Sequence, residues 1–372
     1  MSKKIFALAA LIFYSTFSYT QTYPSDQKED FVFPDNSWEY VKDPSAQGWD
    51  TAKLKSLKQF IIDSANTTGM MVIQQGKVIF SYGDLKELSY IASCRKSVLS
   101  ILYGPFVENG KINLNSTLEQ LNIDDINGLL PSEKKATIRN LLTARSGVYH
   151  EPSYSGDEYA FAPKRGSVQP GSFFLYNNWD FNLAGYLFEK LSGVGIYNAV
   201  DSMLAHPLNM EDWDKNIQHK DADTIKSMYP AYPMWFSTRD MARIGYLMLR
   251  NGRWKDKQIT TENWVNTITT SFTSTKEMKE FKSPYYKDGA YMRYFGYGYL
   301  WWVWDAPENK GAYEGAYTAQ GNFGQYITVL PALDVVIAHK TKAAYDRYTS
   351  NYLTILTKLI AANNSKLSAK DK

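Results

Sequence analysis

Short apolar runs with the composition of strands lie near both ends of the chain, and a long, mostly helical region separates them. Residues 70–73 and 78–82 predict a hairpin with Gly76 in its turn. Residues 326–330 and 335–339 predict a second hairpin near the other end. This order favours one sheet assembled from both ends of the chain, with a helical region inserted. In such an arrangement a site usually lies in the crevice between the two parts.

Five segments have the apolar spacing of helices, and one further segment has the composition of a strand. We predict helices over residues 53–65, 93–108, 179–191, 238–249 and 345–361, and a strand over residues 298–304. Asn178 and Ser237 are the expected N-caps of the third and fourth helices, because each precedes its first turn.

The composition suits one large domain. The chain has 372 residues, 44% of them apolar and 21% charged, which allows a sizeable core. We predict an α/β (α+β) fold in which helices flank an antiparallel sheet built from about residues 46–110 and 270–372. Residues 111–269 are expected to form the inserted, mostly helical subdomain.

Charge and cysteine content exclude several classes of function. Lys and Arg number 41 against 38 Asp and Glu, a net charge of +3, so no basic footprint for nucleic acid is expected. The single cysteine, Cys94, excludes an internal disulfide and a thiolate-rich metal site.

Residues 1–20 have the pattern of a cleavable secretory signal. Lys3 and Lys4 precede an apolar run over residues 5–17, which is shorter than the roughly 20 residues that span a membrane. Cleavage near Thr20 would leave a mature chain of residues 21–372 without a membrane span. We expect an exported protein, periplasmic or secreted.

Ser93 and Lys96 form the pair with the clearest chemical meaning. A serine hydroxyl becomes a good nucleophile when a base removes its proton, and a lysine can be that base if burial or nearby cations destabilise its ammonium. Three-residue spacing on a helix places both side chains on one face. Ser132 and Lys135 have the same spacing in a polar segment, where a solvated helix start is the better interpretation.

Two later segments could complete such a site. Tyr176-Asn177-Asn178 supplies a phenol that can relay protons and an amide that can hold the lysine, although a simple turn before a helix is also possible. The glycine-rich segment 319–325 would let a substrate approach the backbone closely, but on this element alone an ordinary glycine-rich strand entry is the better interpretation. No Gly-x-Ser-x-Gly elbow is present, and Pro152 after His150-Glu151 spoils a zinc-binding helix.

In its ordered motifs the chain resembles the serine β-lactamase and penicillin-binding-protein superfamily. It is most similar to the branch that holds class C β-lactamases, D-aminopeptidases, family VIII esterases and 6-aminohexanoate-oligomer hydrolases. Besides Ser93-x-x-Lys96 and Tyr176-x-Asn178, the matching segments are Thr137–Gly147, Pro170-Gly171, Leu183–Gly193, Ser237–Arg243 and Gly296-Tyr297-Gly298.

The resemblance implies a β-lactamase-like fold over residues 21–372 and a serine hydrolase that needs no cofactor and no metal. Ser93 would attack an ester or amide carbonyl of a small or peptide-like substrate, with Lys96 and Tyr176 as the general-base pair and Asn178 in support. Backbone N–H groups of Ser93 and Ala319 would hold the oxyanion.

Two positions depart from the family pattern. Where β-lactamases have Lys-Thr-Gly on the late strand, this chain has Ala316-Tyr317-Thr318, so no cation is available there for a substrate carboxylate. Cys94 follows the serine and is expected to be a small buried residue. The leading hypothesis is an esterase or amidase, and the alternatives are an acyl-binding sensor that does not turn over and a weak β-lactamase.

Overall fold

The described residues form a seven-stranded antiparallel sheet built from both ends of the chain, which confirms the predicted fold class. The computed structural model describes residues 31–154, 157–280, 291–342 and 351–364. The elements below belong to one compact unit that begins at Val32. The predicted signal segment, residues 1–20, lies outside the described residues.

The strands follow one another along the chain as β1 (Thr67–Gln74), β2 (Lys77–Gly83), β3 (Ser89–Tyr90), β4 (Trp235–Phe236), β5 (Arg253–Trp254), β6 (Lys257–Gln258), β7 (Phe295–Tyr297), β8 (Trp302–Trp304), β9 (Tyr317–Gly321), β10 (Gln325–Leu330) and β11 (Val335–Thr341). The main sheet has the order β2-β1-β11-β10-β9-β8-β7, and β3–β4 and β5–β6 form separate pairs.

The helices are α1 (Thr51–Ser64), α2 (Cys94–Glu108), α3 (Ile138–Leu142), α4 (Asn178–Ser192), α5 (Ile196–Val200), α6 (Thr238–Leu249), α7 (Glu262–Thr269), α8 (Thr275–Glu280) and α9 (Tyr352–Ala362). Four of the five predicted helices match α1, α2, α4 and α6 closely. The fifth was predicted over residues 345–361; α9 begins at Tyr352, and residues 345–350 lie outside the described residues.

Both predicted hairpins are present. Gln75 and Gly76 have φ of 49° and 78° between β1 and β2, as a tight two-residue turn requires. The predicted single strand over residues 298–304 is wrong, because β7 and β8 form a further hairpin. The chain reverses between them: the Gly298 amide donates to the Trp301 carbonyl at 2.9 Å, and Leu300 has a positive φ of 64°.

Helices cover both faces of the main sheet. α6 approaches one face so closely that a Cβ on Gly245 would lie 2.4 Å from Val336 Cγ1. The start of α2 lies on the same face, where the Cys94 thiol donates to the Gln325 carbonyl at 3.3 Å. On the other face the Tyr352 hydroxyl of α9 donates to Thr328 Oγ1 at 2.6 Å. The core is therefore continuous from the helices through the sheet.

One predicted cap is confirmed and one is wrong. Ser237 caps α6, and its Oγ accepts the Asp240 amide at 3.1 Å. α4 is capped by Asn177, whose Oδ1 accepts the Trp179 amide at 3.1 Å, and Asn178 is the first helical residue. Of the two neighbouring asparagines, only Asn177 caps the helix, and the side chain of Asn178 points away from the cap.

Candidate active site

A short two-stranded support presents Ser93. β3 pairs with β4, and just beyond β3 the Ile91 amide donates to the Met234 carbonyl at 3.0 Å. Ala92 follows with a positive φ of 48°, a conformation that is unfavourable for alanine, and the chain then enters α2. Ser93 occupies the N-cap position without a capping hydrogen bond from its own side chain. Its half-buried hydroxyl is therefore held at a sharp turn by the backbone around it.

Lys96 brings the predicted side chains together. Its Nζ lies 3.0 Å from Ser93 Oγ, 2.8 Å from the Tyr176 hydroxyl and 2.7 Å from Asn178 Oδ1. Lys96 is buried, whereas its three partners are half-buried. Residues far apart in sequence thus meet at one buried amine.

Aromatic rings enclose the same amine. Nζ lies 4.1 Å from the centroid of the Tyr176 ring and 4.3 Å from that of Phe181. Trp302, on β8, stacks on Tyr176 with the centroids 5.3 Å apart and the planes 28° apart. These rings fix the direction of the phenol and restrict water around the amine.

The start of α4 is tied to a neighbouring loop. Ser146 Oγ donates to Asp180 Oδ1 at 2.6 Å, and Asn177 Nδ2 donates to the Val148 carbonyl at 2.9 Å. Asp180 is fully buried, and this burial raises the pKa of its carboxyl well above the usual range. These bonds position Tyr176 and Asn178, which flank Asn177 in the chain.

Ala319 lies inside β9, opposite Ile327, and its carbonyl oxygen is 3.5 Å from Cys94 Sγ. Gly321, two residues later, approaches the turn before Ser93: a Cβ there would lie 2.3 Å from the Ile91 carbonyl oxygen. The backbone role predicted for Ala319 stays a prediction, and the close approach at Gly321 explains why a glycine ends this strand.

Cys94 is a buried packing residue, as expected. Its thiol contacts the carbonyl oxygens of Ala319 and Gln325, and burial raises the pKa of the thiol far above its usual value. A thiol that stays protonated is a poor nucleophile. Ser93 is therefore the better candidate of the two neighbouring residues.

Sequence reasoning missed Phe181 as a neighbour of the candidate site, whereas Trp302 lies in the aromatic stretch 291–304, for which pocket lining and a place in the core were equally weighted expectations. Phe181 lies one turn into α4, and its position follows from the helix that begins at Asn178. The sequence does not show that Trp302 stacks on Tyr176. This stacking depends on the β7–β8 reversal, which also lets the Ser97 hydroxyl donate to the Leu300 carbonyl at 2.6 Å.

The family model described as Beta-lactamase matches residues 61–356 of the chain, which include every candidate residue above. The chain belongs to the Beta-lactamase family. The resemblance expected from the ordered motifs is thereby confirmed, and this member has the antiparallel sheet and flanking helices of the β-lactamase fold.

Solved structures similar to this family member include three with different descriptions. A Bacillus anthracis protein assigned as a 6-aminohexanoate-dimer hydrolase has a TM-score of 0.60 at 20% identity, over 82% of this chain and 80% of that one. The octameric penicillin-binding protein homologue from Pyrococcus abyssi has a TM-score of 0.60 at 20% identity, over 86% of this chain and 79% of that one. EstCE1, a hydrolase with promiscuous acyltransferase activity, has a TM-score of 0.61 at 15% identity, over 85% of this chain and 100% of that one. At these identities the likeness concerns the fold.

A search of the helices within the described residues finds none that is long and apolar enough to cross a membrane.

Proposed function

We propose that this Beta-lactamase family member is a serine hydrolase that cleaves small ester or amide bonds through an acyl group on Ser93. The observation that carries the proposal is the position of Lys96 Nζ, within 3.0 Å of Ser93 Oγ and 2.8 Å of the Tyr176 hydroxyl. A base in hydrogen-bond contact with the nucleophile, itself held by a third group, is the arrangement that activates a serine.

In the proposed first step, Lys96 or Tyr176 accepts the Ser93 proton as Oγ bonds to the substrate carbonyl carbon. Backbone N–H groups of Ser93 and Ala319 stabilise the negative oxygen of the tetrahedral intermediate. Tyr176 then protonates the leaving group with the proton taken from Ser93, which reaches it through Lys96 when Lys96 is the first acceptor. The bond from the carbonyl carbon to the leaving group breaks, the carbonyl re-forms, and the acyl group remains as an ester on Ser93. Water attacks this ester by the same route, and release of the acid restores the hydroxyl.

The burial of Lys96 supports its role as a base. Transfer of an ammonium from water to a buried site is unfavourable, whereas a neutral amine loses little. Lys96 is 1% exposed and lies against two aromatic rings. Asn178 contributes an oxygen without a negative charge, so it orients the amine without stabilising the ammonium as a carboxylate would.

The first experiment measures nitrophenolate release from p-nitrophenyl acetate by the purified mature protein and by Ser93→Ala. We expect steady release by the wild type and release at the background rate by the variant. Equal release by both proteins, with the same circular dichroism spectrum, would exclude Ser93 as the nucleophile.

The competing proposal is an acyl-binding sensor, favoured by the late strand. β9 carries Tyr317-Thr318-Ala319-Gln320-Gly321, without the lysine that binds a carboxylate in β-lactamases. A release of about one equivalent followed by almost no turnover would favour the sensor. Hydrolysis of nitrocefin at a rate close to that of the ester would favour the β-lactamase alternative.

We also propose that the protein is exported. The support is the pattern of residues 1–20, and the test is the N-terminal sequence of protein recovered from the periplasm or medium of expressing bacteria.

A further inference from the structure

Arg95 is a buried cation in the first turn of α2. It is 3% exposed, and no acidic residue occupies that turn. Within the described part of the chain none of the arginine ion pairs involves Arg95; they belong to Arg145, Arg165, Arg239, Arg243 and Arg250. A guanidinium keeps its charge inside a protein, and a buried charge is very unfavourable unless an opposite charge accompanies it. Arg95 therefore calls for a negative partner.

The guanidinium also has an unsatisfied hydrogen-bond donor. Its Nε is buried and has no hydrogen-bond partner among the described residues. Its central carbon lies 4.7 Å from the centroid of the Tyr232 ring. Such a contact uses the face of the ring and satisfies no N–H donor. The partner of Arg95 must therefore accept a hydrogen bond as well as carry negative charge.

Tyr232 supplies a second unsatisfied donor beside the first. It is 1% exposed, and its buried hydroxyl binds no other described residue. Burial raises the pKa of this hydroxyl, and the Arg95 charge lowers it by a smaller amount, so the phenol keeps its proton. The ring is fixed against α4, where a Cβ on Gly185 would lie 2.5 Å from Tyr232 Cε1. Two donors thus stand together in a rigid, buried place.

The neighbouring polar groups are engaged elsewhere. The Tyr197 hydroxyl donates to two backbone carbonyl groups at 2.6 Å and 3.0 Å, and the Tyr103 hydroxyl donates to another at 2.6 Å. Glu189, the acidic residue that acts on Tyr197, forms an ion pair with Lys220 and accepts the Ile196 amide at 2.9 Å. These groups give Arg95 no negative charge of its own.

We propose that Arg95 and Tyr232 bind a monovalent anion of the size of chloride in a buried site beside the start of α2. Because the guanidinium lies over the ring, one ion can contact both Arg95 and the Tyr232 hydroxyl. It balances the single positive charge and accepts both hydrogens, whereas a water molecule would accept the hydrogens and leave the charge unbalanced. The burial of both residues favours a monatomic ion over a larger one. The site does not depend on the proposed hydrolysis.

The direct test is diffraction from crystals of the purified mature protein soaked in sodium bromide, with data collected at the bromine absorption edge. Bromide is the probe because it replaces chloride and is located by its anomalous scattering. We expect an anomalous peak in contact with both the Arg95 guanidinium and the Tyr232 hydroxyl in the wild type. Arg95→Met should have no peak at this place.

Thermal unfolding in sodium chloride and in sodium gluconate, at equal concentrations, tests the same site in solution. Gluconate is too large to be enclosed there. We expect chloride to raise the unfolding midpoint of the wild type by about 2–4 °C relative to gluconate, because an ion that binds only the folded state stabilises it. Arg95→Met should lose this difference. Arg253→Met removes a charge from an exposed arginine and should keep it.

A wild type without a bromide peak at Arg95, or with water there in the presence of bromide, overturns the proposal. A peak without any chloride-specific change of the midpoint marks an adventitious ion only and overturns it too. Equal loss of the chloride effect in Arg95→Met and Arg253→Met would show a general halide effect and no site. Arg95→Gln replaces Arg95→Met if the latter loses the wild-type circular dichroism spectrum.

Discussion

At the scale of single residues, Lys96 is the point where the candidate chemistry converges. The Ser93 hydroxyl, the Tyr176 phenol and the Asn178 amide oxygen all lie within 3.0 Å of its Nζ. The amide is informative because a carboxylate of nearly the same shape would stabilise the ammonium. Asn at position 178 therefore binds the amine without adding a negative charge that would favour the protonated lysine.

Asn178→Asp is expected to slow hydrolysis at neutral pH by about tenfold and to move the acidic limb of kcat/KM to higher pH, because a carboxylate at Nζ favours the protonated lysine. Since an acidic residue in the first turn of α4 suits the helix, thermal stability should not fall. The pH–rate profile with p-nitrophenyl acetate is the measurement.

Asn178→Ala is the matched control, because it removes the hydrogen bond without adding charge. Its acidic limb should stay near that of the wild type. A limb that moves equally in both variants would show that orientation matters at this position and charge does not.

The candidate site residues could be proposed from sequence because Ser93-x-x-Lys96 and Tyr176-x-Asn178 are local patterns in family order, and their catalytic roles stay predictions. The contacts among these side chains at Lys96 Nζ are visible only in the folded structure. The N-cap of α4 was misassigned because two asparagines compete for it, and only the observed backbone shows that Asn177 makes the cap.

At the scale of elements, the contact between α6 and the sheet limits what the core tolerates. Gly245 faces Val336 and Ile327, and a Cβ would lie 2.4 Å and 2.9 Å from their methyl carbons. Real Cβ atoms do not approach so closely, so the helix or the strands would have to move. This glycine sets the distance between two layers of the fold.

Gly245→Ala should destabilise the protein by about 1–3 kcal/mol, although alanine is the better helix former. Urea unfolding followed by circular dichroism gives the value. The double variant Gly245→Ala, Val336→Ala should recover part of the loss, because the second change makes room for the added methyl. A stabilised Gly245→Ala would contradict the observed packing.

Hairpins joined by short turns were predicted correctly because turn residues and strand residues lie together in the sequence. The β7–β8 hairpin was not predicted, because Gly298–Trp301 has the composition of a continuous aromatic strand. The reversal is stabilised by a long-range bond, in which the Leu300 amide donates to the Leu142 carbonyl at 3.0 Å. Such a contact is not visible in a local pattern.

At the scale of the whole molecule, a buried lysine on β11 joins the sheet to the support of the nucleophile. Lys340 Nζ donates to the Phe236 carbonyl at 2.6 Å and to the Glu87 carbonyl at 2.8 Å. These carbonyls belong to β4 and to the chain just before β3. Burial lowers the pKa of Lys340 to about 8.

This shift predicts a pH-dependent stability. Between about pH 8 and pH 10.5 the unfolded chain keeps a proton on Lys340 that the folded protein has lost. Rising pH therefore favours the folded state through this group, by on the order of 3 kcal/mol across the range. Other groups also titrate there, so the quantity to measure is the difference in unfolding free energy between the wild type and Lys340→Met.

That difference should move in favour of the wild type as the pH rises from 8 to 10. A difference that stays constant over the range would show that Lys340 has an ordinary proton affinity in the folded protein.

The central claim is that Ser93 becomes acylated, and the most direct measurement is the mass of the protein quenched in acid milliseconds after mixing with p-nitrophenyl acetate. The account predicts a species heavier by one acetyl group, located by digestion on the peptide that contains Ser93, and absent from Ser93→Ala. Turnover without any such adduct on Ser93, or the same adduct in Ser93→Ala, would contradict it.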